Sequence, residues 1–224
     1  YNTVTDTESE YTIRMEPMPK GSPERKQARR EEIISACAAL YKTMSFKEIT
    51  IKDIASFTSF TRPSIYNYYQ TKEEIFLALL QQEYEMWTKD LDALIPSEQG
   101  DPRLELADRI AHTLADREQL LKLLSTNLYE MEQNSRMELL VEFKTAYKAS
   151  ILAVKNSLGR FCPEMQEGER EDFIYSFFPF VYGIYPYTAV SDRQRQAMDE
   201  AGIEYRYMSI YEIAFLGIKK LLGI

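Results

Sequence analysis

The chain has 224 residues, of which 45% are apolar and 28% are charged, as is typical of a folded globular protein rather than a disordered or fibrous one. It contains only two cysteines and one histidine, which excludes a disulfide framework and a multi-histidine metal site and argues against a His-based catalytic triad. We therefore expect a cytoplasmic protein with no metal and no other cofactor.

The charge is unevenly distributed along the chain. The net charge is −8 overall, but residues 20–72 hold ten Lys and Arg residues against five acidic ones, whereas residues 73–224 hold sixteen against twenty-six. A basic segment on an acidic protein suggests that this segment alone meets a polyanion such as nucleic acid. Chance variation on solvated helix faces is the alternative explanation of the same pattern.

Residues 1–21 show no sustained hydrophobic period, and we predict a flexible arm there. Ser22-Pro23 supplies an N-cap followed by a proline at the first helical position of a basic, then amphipathic, helix. Thr50 to Asp53 and Thr71 to Glu74 each have the pattern of a capping box, and Ser135 with Glu138 has the same spacing. These signals fix the starts of four predicted helices.

Helical periodicity continues through the rest of the chain, and strand-like alternation does not persist anywhere. We therefore predict an all-α protein, with a three-helix N-terminal domain followed by a larger helical domain. About nine helices are expected, over residues 24–44, 51–55, 62–69, 71–95, 103–115, 117–130, 135–161, 168–189 and 205–222. We place the first domain at 22–70 and the second domain at 71–224, with 71–95 as a linking helix.

The most informative segment lies between residues 50 and 69. Two short helices joined by a tight connection, preceded by a longer helix, form a helix-turn-helix arrangement. Ala55 is small where the two helices must approach, Phe60 is placed to fill the space between them, and Ile65 is the inward residue of the second helix. With Ile65 inward, at 100° per residue, Pro63, Ser64, Tyr66 and Asn67 face outward. Hydroxyls and amides beside cations are suited to the major groove and its phosphates.

The run from Ile51 to Ala55, the run from Thr61 to Tyr69 and the run from Thr71 to Phe76 together resemble the TetR family of bacterial transcription regulators. The likeness covers about residues 25–80. It implies a homodimer with an N-terminal DNA-binding domain and a helical C-terminal domain that binds an effector and dimerises through its last two helices. The chain departs from the family pattern at Ser59, where glycine is usual, and at Tyr68, where histidine is frequent.

The resemblance also assigns candidate contacts with double-stranded operator DNA. By motif position, these are Thr50, Thr61, Arg62, Ser64, Tyr66, Tyr68 and Lys72, and the exposed recognition-helix positions add Pro63 and Asn67.

The C-terminal part is rich in aromatic residues, as are the effector domains of this family. Candidate liners of a pocket for a small, largely hydrophobic effector are Tyr84, Trp87, Leu91, Tyr129, Phe143, Tyr147, Phe177, Phe178 and Tyr182. Ordinary core packing of each residue is the alternative, because pockets and cores use the same residue types.

The helix ending near residue 190 and the last helix are expected to form the dimer surface. Residues 173–191 carry no charge, so their apolar surface must be shielded from water. An apolar interface suits an obligate homodimer. The candidate interface residues are Phe173, Phe180, Ile184, Met208, Tyr211, Phe215, Ile218 and Leu222. The same segment contains four tyrosines and two prolines, so we expect no membrane span.

Phosphate-binding glycine loops, the zinc-protease motif and the nucleophile elbow are all missing from the sequence, and we predict that the protein is not an enzyme. Two functions compete. One is a repressor released from its operator by a small ligand. The other is a DNA-binding regulator whose pocket is vestigial and whose DNA binding is controlled by a protein partner.

Overall fold

The computed structural model describes residues 22–126 and 128–224, and every regular element in these two ranges is an α-helix. The eleven helices of this described part are α1 Pro23–Tyr41, α2 Ile51–Ser56, α3 Arg62–Ile65, α4 Lys72–Asp92, α5 Pro102–Ala115, α6 Glu118–Ser125, α7 Leu128–Gln133, α8 Met137–Phe161, α9 Glu167–Thr188, α10 Asp192–Glu200 and α11 Ile210–Leu221. The predicted arm, residues 1–21, lies outside the described residues. The all-α prediction is confirmed.

Two differences account for the two additional helices. The segment predicted as one helix over 117–130 forms α6 and α7, and the polar connection expected over 191–204 contains α10. Ser191 caps α10 in a capping box with Gln194, and no side chain of α10 is buried. Helical periodicity fails to find such a helix because it has no apolar face to bury. The last helix begins at Ile210 rather than at 205, so Met208 lies before it.

The N-caps explain where the first helices begin. Ser22 accepts a hydrogen bond from the Arg25 amide, and Thr50 and Asp53 form the expected reciprocal capping box. Thr71 caps α4 as predicted by accepting from the Glu74 amide. The Glu74 carboxylate, however, accepts from the Gln70 amide at 2.6 Å instead of closing a box with Thr71.

The expected cap of α8 is wrong. Arg136 is the N-cap residue of this helix and makes no side-chain capping bond. The Ser135 hydroxyl instead donates to the carbonyl of Met131 at 2.7 Å, and so extends the end of α7.

The long helices α4 and α8 form the centre of the fold, with α5, α6 and α9 packed around them and α11 lying across α5 and α9. Helix α1 packs onto the N-terminal half of α4, where the Phe76 ring meets Tyr41 of α1 at 5.2 Å and Phe46 of the following loop at 4.7 Å between centroids. Helix α4 therefore belongs to both halves of the core. No described helix is long and apolar enough to cross a membrane.

Helices α9 and α11 approach each other closely at Gly217. A Cβ atom added to Gly217 would lie 2.2 Å from the ring of Phe180 on α9. Glycine is needed here because any side chain would displace that ring. Helix α9 continues through Pro179 and Pro186, each of which lacks the amide that would bond the preceding turn.

Candidate DNA-binding and effector sites

The first candidate site is the outward face of the helix-turn-helix. Ile65 is fully buried and holds α3 against α1 and α2, which turns the other residues of α3 outward. Thr50, Thr61, Arg62, Pro63, Tyr66 and Asn67 are exposed, and Ser64, Tyr68 and Lys72 are half-buried. All nine predicted DNA-contacting residues therefore keep some accessible surface.

Hydrogen bonds within this face orient its polar groups. Arg62 donates from Nη2 to the Tyr66 hydroxyl at 3.1 Å, and the Thr61 and Ser64 hydroxyls lie 3.0 Å apart. Lys72 donates to the carbonyls of Phe46 and Ile49 at 2.8 and 3.3 Å. An ammonium group has three donors, so Lys72 retains one further donor while it anchors the loop before α2.

The turn between α2 and α3 depends on a residue that the sequence did not indicate. Glu32 on α1 accepts hydrogen bonds from the Ser59 amide at 2.5 Å and from its hydroxyl at 3.2 Å. Arg29, one turn earlier, lies over the Phe60 ring at 4.7 Å. The serine hydroxyl gives this turn a contact that a glycine at the same position would lack. No local pattern could have revealed Glu32, because it lies 27 residues away.

The second candidate site is an aromatic cluster between α4, α8 and α9. Tyr84 lies 5.5 Å from Tyr147 and 6.0 Å from Phe143, and Trp87 lies 6.3 Å from Phe177 and 6.2 Å from Phe178, between ring centroids. The Tyr84 and Tyr182 hydroxyls are 3.3 Å apart. Leu91 is buried one turn after Trp87. Eight of the nine predicted pocket residues therefore lie together, whereas Tyr129 on α7 is 76% exposed and stands apart.

The polar groups of this cluster are neutral. Burial raises the pKa of Tyr147 to about 12, with the neighbouring Tyr182 and Glu132 adding to the effect. Burial also raises the pKa of Tyr84 and of Tyr182. The Trp87 indole nitrogen donates to the Thr113 hydroxyl at 3.0 Å. The cluster offers hydroxyl dipoles and apolar surface, which suit an uncharged ligand group.

A groove of about 350 Å³ opens directly onto this cluster between α8 and α9, a size within the range of small-molecule sites. Tyr147 and Phe178, which meet at 5.3 Å, form its floor and separate it from Trp87. The other lining residues are Ile151, Lys155, Glu171, Ile174, Tyr175 and Pro179. None of these six was predicted, because only the packing of α8 against α9 brings them together. Lys155 forms an ion pair with Glu167 and lies 3.9 Å from Glu171, so the groove has a charged end.

The predicted interface residues fall into two groups. Phe173, Ile184, Ile218 and Leu222 are at most 3% exposed and are covered within one chain. These four pack the helices of the chain together and offer no surface to a partner. Phe180, Met208, Tyr211 and Phe215 remain half-buried, although the Tyr211 hydroxyl is held by Asp108 on α5 at 2.6 Å.

The fold and the exposed face of α3 define a helix-turn-helix transcription regulator with a helical second domain. Residues 33–79 match the family model of bacterial regulatory proteins of the tetR family, and residues 81–209 match that of the tetracyclin repressor-like C-terminal domain. The chain belongs to the TetR family of transcription regulators. Members of this family bind operator DNA, form dimers and take ligands in the C-terminal domain.

Individual relatives agree with this assignment. An uncharacterized HTH-type transcriptional regulator of Bacillus subtilis, YfiR, is 30% identical over 74 residues, which are 33% of this chain and 36% of that protein. The match thus spans about a third of the curated relative.

Solved structures extend the likeness of the fold to most of the chain. FadR of Thermus thermophilus, a repressor in complex with lauroyl-CoA, has a TM-score of 0.55 at 20% identity, covering 87% of this chain and 93% of its own. The fatty acid degradation regulator FadR of Bacillus halodurans has a TM-score of 0.55 at 15% identity, covering 91% and 97%. SmeT, the repressor of a multidrug efflux pump of Stenotrophomonas maltophilia, has a TM-score of 0.51 at 18% identity, covering 88% and 90%.

Proposed function

We propose that the protein is a dimeric repressor whose binding to operator DNA is weakened by a small, largely hydrophobic ligand in the groove between α8 and α9. The observation that carries this proposal is the continuity of that groove with the buried cluster around Trp87. Trp87 lies on α4, which begins at Lys72. Residues 62–69, which we call the recognition segment, end just before this helix. A ligand that displaces Phe178 would therefore move a helix that carries the DNA-binding face.

In this proposal, the nine predicted residues on the outward face of the helix-turn-helix contact the operator DNA. Arg62, Thr61 and Tyr66 are exposed at α3 and present one cation and two hydroxyls. A dimer of such domains reads two half-sites about 34–36 Å apart. A change of a few ångströms in that separation is enough to disfavour binding, and a coupling of about 1–3 kcal/mol makes it a switch.

The DNA arm of the test uses duplexes selected from a random pool with the full chain. Arg62→Ala is expected to weaken binding and to reduce the slope of log K against log salt by about one per monomer. Arg193→Ala, an exposed change on α10, is the matched control and should bind like the parent. Selection of no duplex by the parent would contradict the proposed function.

The effector arm uses the fluorescence of Trp87, the single tryptophan of the chain. Dodecanoate, lauroyl-CoA and a set of neutral aromatic compounds are titrated, and each compound that changes the emission is tested for release of the selected duplex. We expect release by at least one neutral apolar compound, and Ile151→Asp at the groove should abolish it. Quenching with unchanged DNA affinity would instead favour control by a protein partner.

The proposed dimer face is formed by the outer sides of α9 and α11. Tyr187 and Leu216 are 60% and 42% exposed, and the α9 part of this face carries no charge from residue 173 onward. In this family of dimers, a large uncharged helix face is best explained as the surface that contacts a second copy of the chain.

Gly217→Ala is expected to weaken the dimer, because the new Cβ atom would displace the Phe180 ring toward the proposed partner. The double variant Gly217→Ala with Phe180→Ala should regain much of the lost association, since the obstructing ring is gone. Sedimentation at a series of micromolar concentrations measures both. A parent that remains monomeric throughout would overturn the proposed dimer, and a Gly217→Ala variant that associates like the parent would exclude this contact from it.

A further inference from the structure

The connection between α7 and α8 touches the segment that follows the recognition helix at several points. Arg136 donates from Nη2 to the carbonyl of Tyr68 at 3.0 Å, and the Thr71 hydroxyl donates to the carbonyl of Asn134 at 3.1 Å. These contacts join residues more than sixty positions apart in the chain. They attach the end of the recognition segment to α8 as well as to α4.

The Arg136 guanidinium is held in place by a buried carboxylate. It donates from Nε and Nη2 to the two oxygens of Glu74 at 2.7 and 3.0 Å. The Glu74 side chain is fully buried and also accepts from the backbone amides of Gln70 and Arg136 at 2.6 and 3.1 Å. A planar guanidinium fixed by two parallel bonds has little freedom to rotate. The donor that reaches Tyr68 is therefore rigidly placed.

Arg136 is also the N-cap residue of α8, the helix that forms one wall of the ligand groove. Tyr147, Ile151 and Lys155 line that groove, and Tyr147 lies about 16 Å along the helix from Arg136, at 1.5 Å per residue. A helix of 25 residues moves largely as one rod. A displacement of α8 at the groove would therefore reach the Tyr68 carbonyl through Arg136.

We propose that Arg136 is a positioning residue for DNA recognition, which fixes the end of the recognition segment without touching DNA. Through Arg136, helix α8 transmits a displacement at the groove to that segment. This inference rests on the proposed function and names the regulation of the same site. Arg136 belongs to none of the motifs that identify the helix-turn-helix.

The test compares Arg136→Gln and Arg136→Lys with Arg103→Gln in the full chain, using the duplex selected by the parent. Arg103 forms an ion pair with Glu164 at 2.7 Å far from the helix-turn-helix and provides the matched control. Both Arg136 variants are expected to lower the affinity about tenfold or more, because each loses a charged hydrogen bond to the recognition segment. The slope of log K against log salt should stay at the parent value, since no phosphate contact is lost.

Lysine separates positioning from direct DNA contact. It keeps the positive charge but cannot reach Glu74 and Tyr68 together, so Arg136→Lys should bind as weakly as Arg136→Gln. Recovery of affinity by lysine, or a slope reduced by about one per monomer, would show a phosphate contact and overturn the inference. Should Arg136→Gln fail to fold, Arg136→Lys alone decides the question, because it still neutralises Glu74.

A double-variant cycle tests this transmission through α8 without a known effector. Ile151→Trp places bulk in the groove and should lower DNA affinity, whereas Leu152→Trp on the exposed side of α8 should not. In the Arg136→Lys background, Ile151→Trp should have little further effect. Additive effects of the two substitutions on DNA affinity would contradict transmission through α8. A parent that selects no duplex would overturn the proposed function, and this inference with it.

Discussion

Glu74→Gln is expected to lower the free energy of unfolding by about 3 kcal/mol at neutral pH, because four donors then face an amide in place of a buried carboxylate. Burial by itself would raise the pKa of Glu74, but the hydrogen bonds from Arg136 and from the Gln70 amide outweigh it and hold the pKa below its usual value of 4.5. A carboxylate with a lowered folded pKa adds stability above its unfolded pKa and loses it as the pH falls through the folded pKa. The loss caused by the substitution should therefore shrink below about pH 4.5.

Glu83→Gln on the same helix is the matched comparison. Glu83 is 5% exposed, and burial raises its pKa, although the hydrogen bond from Gln119 and the charge of Arg117 lower it in part. Its raised folded pKa gives stability that is present below the unfolded pKa and is lost as the pH rises through the folded one. Glutamine imitates the neutral acid, so this variant should equal or exceed the parent at neutral pH and gain nothing in acid.

Urea unfolding of the three proteins between about pH 2.5 and pH 7 measures both effects. At neutral pH we expect Glu74→Gln to be less stable than the parent and Glu83→Gln to be at least as stable. Both differences in the free energy of unfolding should shrink toward acid pH. A Glu74→Gln loss of equal size at every pH would show that the side chain contributes shape rather than charge.

Trp87→Ala is expected to cost about 3–5 kcal/mol, the range for removing a large aromatic residue from a core. Trp87 is fully buried, and the rings of Tyr84 on α4 and of Phe177 and Phe178 on α9 pack around it. The resulting cavity has apolar walls and one hydroxyl, that of Thr113.

Added indole should fill this cavity and restore stability by mass action, by about 2.7 kcal/mol at a hundred times its dissociation constant. Indole should rescue better than 1-methylindole, because only indole can donate to Thr113. Thermal unfolding with and without each compound measures the effect, and Tyr129→Ala, an exposed aromatic change, serves as the control. A Trp87→Ala protein that does not respond to indole would show that the cluster collapses rather than leaving a site.

The helix-turn-helix was predictable because its information is local. The Thr50 capping box, the inward Ile65 and the outward Tyr66 follow from spacings of a few residues, and the structure agrees at each. The aromatic cluster was also found in large part, since helical periodicity puts Tyr84, Trp87 and Leu91 on one face of α4. Tyr129 was placed in the same set by residue type alone, and its helix turns it toward solvent.

The sequence by itself determined the helical class, the outward face of α3 and the residue types of the aromatic cluster, because caps and periodicity act within one or two turns of chain. Only the tertiary structure decided which surfaces meet. The bond from Ser59 to Glu32, the Arg136 contacts with Glu74 and Tyr68, and the groove between α8 and α9 each join segments that are distant in the sequence. Such contacts depend on how helices pack, and a single sequence carries no local signal for the distance between two helices.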